Sequence, residues 1–261
     1  MLKGLYTAWT GMVNEQKRMD IMTNNLANAS TVGYKKEGST CQAFDDILAV
    51  KIKDASMGSE KIVQPLGYNS PGVMIGENYT DFTQGSFRIT ENTYDLALAG
   101  DGFFAIEFTN KAGETSTMYT RAGQFTLTSE GYLVNENGDF VLDASNSRIQ
   151  VDPLLDARID KNGIIWQNEA QVAQIQVADF ENYDYLEKYG ETYFSPVEGA
   201  ALTQADAEVR SGWLEMSNVQ IVKEMVNMIA ITRAYETNQK VIQAYDGSLE
   251  IAVTQLGRLQ G

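Results

Sequence analysis

Three carboxylates, Asp95, Asp101 and Glu107, lie close together in a chain that is also rich in tyrosine. Two carboxyl groups about 5–10 Å apart across a cleft are what glycoside hydrolysis needs. Asp95 and Asp101, however, flank a glycine-rich turn, where aspartate is favoured because its side chain bonds its own backbone. Gly100-Asp101-Gly102 lacks the Lys-Ser/Thr that follows a phosphate loop. There is no histidine, which removes Ser-His-Asp and Cys-His catalysis and most zinc sites. The single cysteine, Cys41, has no internal disulfide partner and no activating base nearby, so an inert thiol is expected. Asp160-Lys161-Asn162-Gly163 resembles the start of a calcium loop but lacks its later ligands, and a hairpin turn is the better reading. No catalytic, cofactor-binding or metal-binding residue is expected, and no cofactor. A glycan-active or glycan-binding β protein is the alternative that these carboxylates keep open.

The charge balance points the same way. A formal charge of −15 over 261 residues disfavours nucleic acid and anionic membrane surfaces, which need clustered Lys and Arg. Lys35-Lys36 and Lys51/Lys53 are the local basic spots and read as solvated loop. No apolar run of about 18 residues predicts membrane insertion. Asn14-Glu15-Gln16-Lys17-Arg18 interrupts the segment before Ala27-Asn28-Ala29, so a cleavable secretory signal is not expected.

The two ends carry helical periodicity and the middle does not. Leu2, Leu5, Trp9, Met12, Gln16, Met19, Thr23 and Leu26 step by three and four, the spacing of a coiled-coil seam. Gly4 and Gly11 each cost about 1 kcal/mol of helix propensity relative to alanine. Asn28, Ser30 and Gly33 mark the end of this helix. At the other end Ser217-Asn218-Val219-Gln220 fits a capping box. Ile221, Met228, Ile231, Tyr235, Ile242, Tyr245, Leu249, Ala252, Leu256 and Leu259 then form a second seam, with Glu224 and Asn238 filling its gaps. Val222, Met225, Val226 and Ile229 add a second apolar line at its start. Burying ten seam residues supplies about 15–30 kcal/mol, while ordering some 42 residues costs about 1–2 kcal/mol each before hydrogen bonds offset part of it. Both ends are therefore expected to fray in a free monomer and to order when subunits cover them.

Between the ends the apolar period falls to two. Phe103, Phe104, Ile106 and Phe108, then Phe125 and Leu127, Tyr132 and Val134, Phe140 and Leu142, alternate with polar residues. Asn137-Gly138 and Asn162-Gly163 are hairpin signals. The fold class expected is α+β: N- and C-terminal helices as a coiled-coil layer, with a central all-β antiparallel domain, a sandwich or open barrel. Residues 1–30 with 217–261 are assigned to the discontinuous helical domain, 31–75 to an extended, flexible connector, and 76–212 to the β domain. Deleting either end is expected to abolish assembly and leave the β domain folded.

Several segments also carry a resemblance. Asn24-Asn25-Leu26-Ala27-Asn28-Ala29-Ser30-Thr31-Val32-Gly33-Tyr34-Lys35 resembles the N-terminal signature of the bacterial flagellar rod and hook family. Asp95 to Phe104 and Tyr119-Thr120-Arg121-Ala122-Gly123 are similar to its central segments. Ser217-Asn218, Glu224 to Ile229, and Arg233-Ala234-Tyr235-Glu236-Thr237-Asn238-Gln239-Lys240 are similar to its C-terminal signature. The positions matching the family motif are Asn24, Asn25, Asn28, Thr31, Gly33, Ser217, Asn218, Arg233, Tyr235 and Glu236. The resemblance implies a structural subunit of the basal-body rod that polymerises helically with copies of itself and transmits torque. The implied seam residues are Leu5, Trp9, Met12, Met19, Leu26, Ile221, Met228, Ile231, Tyr235, Ile242, Tyr245, Leu249, Leu256 and Leu259. The implied partners are other rod and hook proteins and the flagellar type III export apparatus, which reads no cleaved signal. Length and the Arg233–Lys240 stretch point to the distal-rod branch, with the proximal-rod branch as its competitor.

Overall fold

A computed structural model of the chain describes residues 2–53, 62–111 and 113–258. It consists of two compact units. One is made of Met1–Asn24, Glu37–Tyr79 and Ile221–Gly261, the other of Asn25–Lys36 and Thr80–Gln220.

The first unit holds helix α1 (Leu2–Ala27, whose last three residues fall in the second unit) and helix α2 (Ile221–Arg258). They pack against each other. Gly4 faces Tyr245, and a Cβ placed on Gly11 would stand 2.9 Å from the Asn238 Nδ2. A step forward on α1 is matched by an equal step back on α2, so the pair is antiparallel. The inward face of α1 therefore runs through Gly4, Ala8 and Gly11. Trp9 is 52% exposed, and Gln16 and Thr23 are exposed as well. Trp9, Gln16 and Thr23 of the expected α1 line thus lie outside the contact with α2 in a single copy. Glycine at positions 4 and 11 leaves room for the side chains that α2 sends across, and a search for large apolar side chains passes over it. On α2 the inward line begins at Glu224. Glu224 and Ile231 are buried, and Met228, Tyr235, Asn238, Ile242 and Tyr245 are half-buried. Ile221 and Leu249 are exposed. The side chain of Leu256 and all of Leu259 lie outside the described residues.

The same unit contains strands β1 (Lys36–Ala43, whose first residue falls in the second unit), β2 (Ile47–Lys53), β3 (Ile62–Asn69) and β4 (Val73–Asp81, whose last two residues do so). β1 pairs with β4, and β2 with β3 from Ile47↔Asn69 to Lys53↔Ile62, with a bulge between Ala49 and Val50. The expected flexible connector is thus a β-ribbon on both sides of 54–61, which lie outside the described residues. Its pattern is faint in sequence because neither face is well buried: Ile47, Leu48, Leu66 and Tyr68 are all exposed. Thr7 donates to the Pro71 carbonyl at 3.1 Å, and Asn14 donates to the Cys41 Sγ at 3.4 Å, tying ribbon to helix.

The second unit holds β5 (Phe87–Ile89), β6 (Leu96–Ala99), β7 (Phe103–Thr109) and β8 (Thr115–Thr120), followed by shorter strands. β7 is its centre. It pairs antiparallel with β8, with Phe140–Val141 and with Val177–Phe180 in a nine-stranded sheet. Phe104 packs with Leu96, Leu98, Phe125 and Ile165, and Phe103 with Tyr119, Phe180 and Phe194. Adjacent residues point to opposite faces of a strand, so this sheet has a core on each side. The Phe103-Phe104 doublet is the sequence trace of that double burial. Asn162-Gly163 turns between Ala157–Ile159 and Ile164–Gln167: the Gly163 amide donates to the Asp160 carbonyl at 2.9 Å and Gly163 sits at φ +73°, a type I turn closed by a left-handed glycine.

Gly33, expected near the end of the first helix, lies six residues beyond Ala27 and has φ +68°; a Cβ there would run into the backbone of Arg121 and Ala122. Gly33→Ala should therefore cost several kcal/mol, combining αL strain with a backbone clash. Gly11→Ala should be within about 1 kcal/mol of neutral, since Asn238 can swing aside and helix propensity improves. Urea unfolding midpoints of the two variants check this.

Candidate functional site

Trp213–Glu215 pairs with β5 and delivers the Glu215 side chain into the second unit, where its carboxylate is 1% exposed. Its Oε1 accepts from Lys35 Nζ at 2.7 Å and from the Gly85 amide at 2.9 Å; its Oε2 accepts from Arg121 Nη1 at 3.3 Å. Lys35 also donates to the Thr83 carbonyl at 2.9 Å, and the Arg121 guanidinium lies 5.3 Å from the Phe103 ring centre. The backbone closes the same junction. Gly33 N donates to the Glu215 carbonyl and Met216 N to that of Ser86, both at 2.8 Å. Burial pulls the Lys35 ammonium below the usual lysine range, against the opposing charge and hydrogen bond of Glu215. Desolvation thus outweighs attraction for this cation, as is common for buried ion pairs.

Asn218 extends the junction. Its Oδ1 accepts from the Lys36 amide at 2.8 Å and its Nδ2 donates to the Asp81 carbonyl at 2.7 Å. Tyr34, fully buried, donates to Asn25 Oδ1 at 3.0 Å, with the Lys188 ammonium 4.1 Å from its ring centre. Thr31 donates to Asn28 Oδ1 at 3.1 Å. The motif positions Asn25, Asn28, Thr31, Gly33, Ser217 and Asn218 thus lie in one unit with Arg121. Asn24, Arg233 and Glu236 are exposed, and Tyr235 is half-buried.

Three expectations change here. Lys35 is 1% exposed and ion-paired, not a solvated loop residue; the compensating carboxylate is 180 residues away and invisible locally. Ser217 does not cap α2. Its Oγ accepts from the Val219 amide at 3.3 Å, and the helix starts at Ile221. The capping pattern matched because the same residue types also make short turns. Finally, residues 25–36 and 217–220 are parts of the β-rich unit, so removing either end strips buried ties from it.

The three carboxylates that opened a catalytic reading do not share a site. Asp95 accepts from Asn92 Nδ2 at 3.1 Å, Asp101 is exposed, and Glu107 takes two 2.8 Å bonds from Arg148. The Arg148 bonds hold Glu107 below the usual carboxylate range. A cavity of about 460 Å³ is lined by Asp156, Arg158, Asp160, Trp166, Asn168 and Glu169 and includes none of the three. Among the described residues no group of Cys, Asp and Glu is arranged to hold a metal ion, and no helix is long and apolar enough to cross a membrane.

One apolar line stays exposed on α2. Val222, Met225, Val226 and Ile229 of α2 are 76, 51, 60 and 54% exposed. Charges used as internal ties, with apolar side chains set out along a helix, define a structural subunit rather than a catalyst. Residues 5–35 match the flagella basal body rod protein family, 97–167 the flagellar hook protein FlgE/F/G D1 domain, and 210–256 the flagellar basal body rod FlgEFG protein C-terminal family. The chain is 34% identical to the flagellar basal-body rod protein FlgG of Caulobacter vibrioides, over 98% of this chain and 99% of that one. It is 33% identical to FlgF of the same organism, over 99% and 100%, and 31% identical to the flagellar hook-basal body complex protein FlhO of Bacillus subtilis, over 99% and 100%. The chain belongs to the flagellar basal-body rod protein family. It is a structural protein of the rod, not an enzyme, and family membership implies assembly with other flagellar proteins.

Burial and its bond to Asp139 push the Tyr193 hydroxyl up to about 12; that bond is 2.5 Å, and Asn135 and Asn137 donate to the same oxygen. The folded state thus holds this proton more tightly than the unfolded chain, whose tyrosine titrates near 10. Its contribution is complete below pH 10 and is lost as pH rises toward 12, about 2–3 kcal/mol in all. Lys35, with its lowered value, acts with the opposite sign below 10.5. Denaturation midpoints from pH 8 to 11.5 should fall above pH 10, and Tyr193→Phe should flatten the fall.

Proposed function

We propose that this chain is a distal-rod subunit that polymerises helically, its subunits joined by apolar lines left uncovered on a single copy. The observation that carries this is the exposed line Val222, Met225, Val226 and Ile229. It runs beside the α2 seam of Met228, Ile231, Tyr235, Ile242 and Tyr245, which already faces inward. Covering four such side chains supplies about 6–12 kcal/mol at most. Association costs about 4–15 kcal/mol, so the helix line alone is marginal. The exposed Ile47, Leu48, Leu66 and Tyr68 of the β2–β3 hairpin offer a second area, which suits a polymer where each copy touches several neighbours. Leu5, Met12, Met19 and Leu26, all half-buried, Trp9, Ile221 and Leu249, exposed, and the uncharted Leu256 and Leu259 complete the assembly seam on this reading. The partners are further copies, other rod and hook proteins, and the flagellar type III export apparatus.

The distal position rests on the Arg233-Ala234-Tyr235-Glu236-Thr237-Asn238-Gln239-Lys240 stretch. A proximal position is the second reading, favoured by the full-length 33% identity to FlgF. Complementation separates them: the chain should restore swimming to a strain lacking its distal-rod protein and fail in one lacking its proximal-rod protein.

Val226→Asp with Ile229→Asp should leave the unfolding midpoint of the dilute protein within about 0.5 kcal/mol, as expected for exposed sites. It should abolish the elongated particles that concentrated wild-type protein forms in negative-stain images. Rods of normal length from this variant would reject the helix line as an assembly surface.

A further inference from the structure

The chain passes between the two units four times, after Asn24, Lys36, Tyr79 and Gln220. The buried junction gathers residues next to every one of these passages. Asn25 and Lys35–Lys36 flank the first two, Asp81 and Thr83 follow the third, and Glu215 and Asn218 precede the fourth. All of these lie within the second unit. The Lys35–Glu215 bond spans 180 residues of sequence. The Lys35–Glu215 tie itself involves neither helix.

We propose that Glu215 is a latch that makes pairing of α1 with α2 conditional on closure of the β-rich unit. Glu215 faces two buried cations, Lys35 and Arg121 (side chains 1 and 4% exposed), and it is the anion that both ion pairs share. Each cation is also close enough to affect the other, since Arg121 works against the charged form of Lys35. With Glu215 neutral, two positive charges remain buried together, and the junction opens. Bringing Asn24 and Ile221 together then requires closing the whole intervening chain instead of the short tails left by the Lys35–Glu215 tie. Closure probability scales as loop length to the −3/2 power, so this lowers helix pairing roughly 40-fold. α1 in particular, with Gly4 and Gly11 in its contact face, has little helical stability of its own to draw on. The latch therefore acts on the helices through chain connectivity, and it also reads completeness. The closing carboxylate arrives late in the chain, at the end of the last strand of the β-rich unit.

The test uses full-length protein at concentrations too low for assembly. Glu215→Gln, Glu215→Gln/Lys35→Met and, as a control for loss of one negative charge, Glu107→Gln are compared by two readouts: far-ultraviolet circular dichroism at 222 nm for the helices, and protease resistance of residues 87–211 for the β-rich unit. Glu215→Gln should lose helical signal and protease resistance together, with a midpoint well below wild type. Lys35→Met in that background should recover part of both by removing one stranded cation. Glu107→Gln should match wild type. Three results would overturn the latch: unchanged behaviour of Glu215→Gln; helical signal retained while the β-rich unit is digested; or no recovery from Lys35→Met, which would assign Glu215 a packing role instead of a charge-balancing one.

Discussion

A carboxylate held between two buried cations is the constraint on which this molecule is organised. Glu215, Lys35 and Arg121 come from three distant parts of the chain and meet where solvent is excluded. In isolation such a cluster is a poor source of stability, because removing three charges from water costs more than their attraction returns. Its value is specificity. A single missing partner leaves charge stranded, so the segments carrying Gly33, Gly85, Arg121 and Glu215 have one acceptable arrangement. The backbone bonds of Gly33 and Met216 and the side chain of Asn218 reinforce that arrangement.

The helical unit follows the opposite strategy. α1 presents Gly4, Ala8 and Gly11 to α2, and the glycines leave room for the Tyr245 and Asn238 side chains that reach across from α2. That choice turns Trp9 and Tyr6 outward (52 and 59% exposed). On α2 one apolar line is covered by α1 while the adjoining line remains open. For a rod-family subunit the division is functional. The inner line holds the subunit together, and the outer line is left for its neighbours. A lone copy whose helices are already paired needs less ordering on assembly than fully frayed ends would.

Much of this was legible in the amino-acid order, and the reasons it was differ from one element to another. The α2 seam and the β hairpins at Asn137-Gly138 and Asn162-Gly163 depend on residues close in sequence, where helical or two-residue periodicity is set by local geometry. The family signature was legible because Asn25, Gly33, Arg121 and Asn218 stand in recognisable local contexts. The ribbon of β1–β4 was faint because a strand exposed on both faces has no reason to alternate. The turn at Asn168-Glu169, both at positive φ, lacks the glycine that would have announced it.

The sequence by itself determined the α+β class, the absence of catalytic histidine chemistry, the family and the inward line of α2, all of which follow from composition, period or local motif. Tertiary structure alone decided that Lys35 is buried, that Ser217 makes a turn instead of a helix cap, that small residues form the contact face of α1, and that residues 25–35 and 217–218 of the terminal signatures belong to the β-rich unit. Each of these depends on a partner far away in the chain. Desolvation and close packing act through space, and no pattern among neighbouring residues records who the distant partner is.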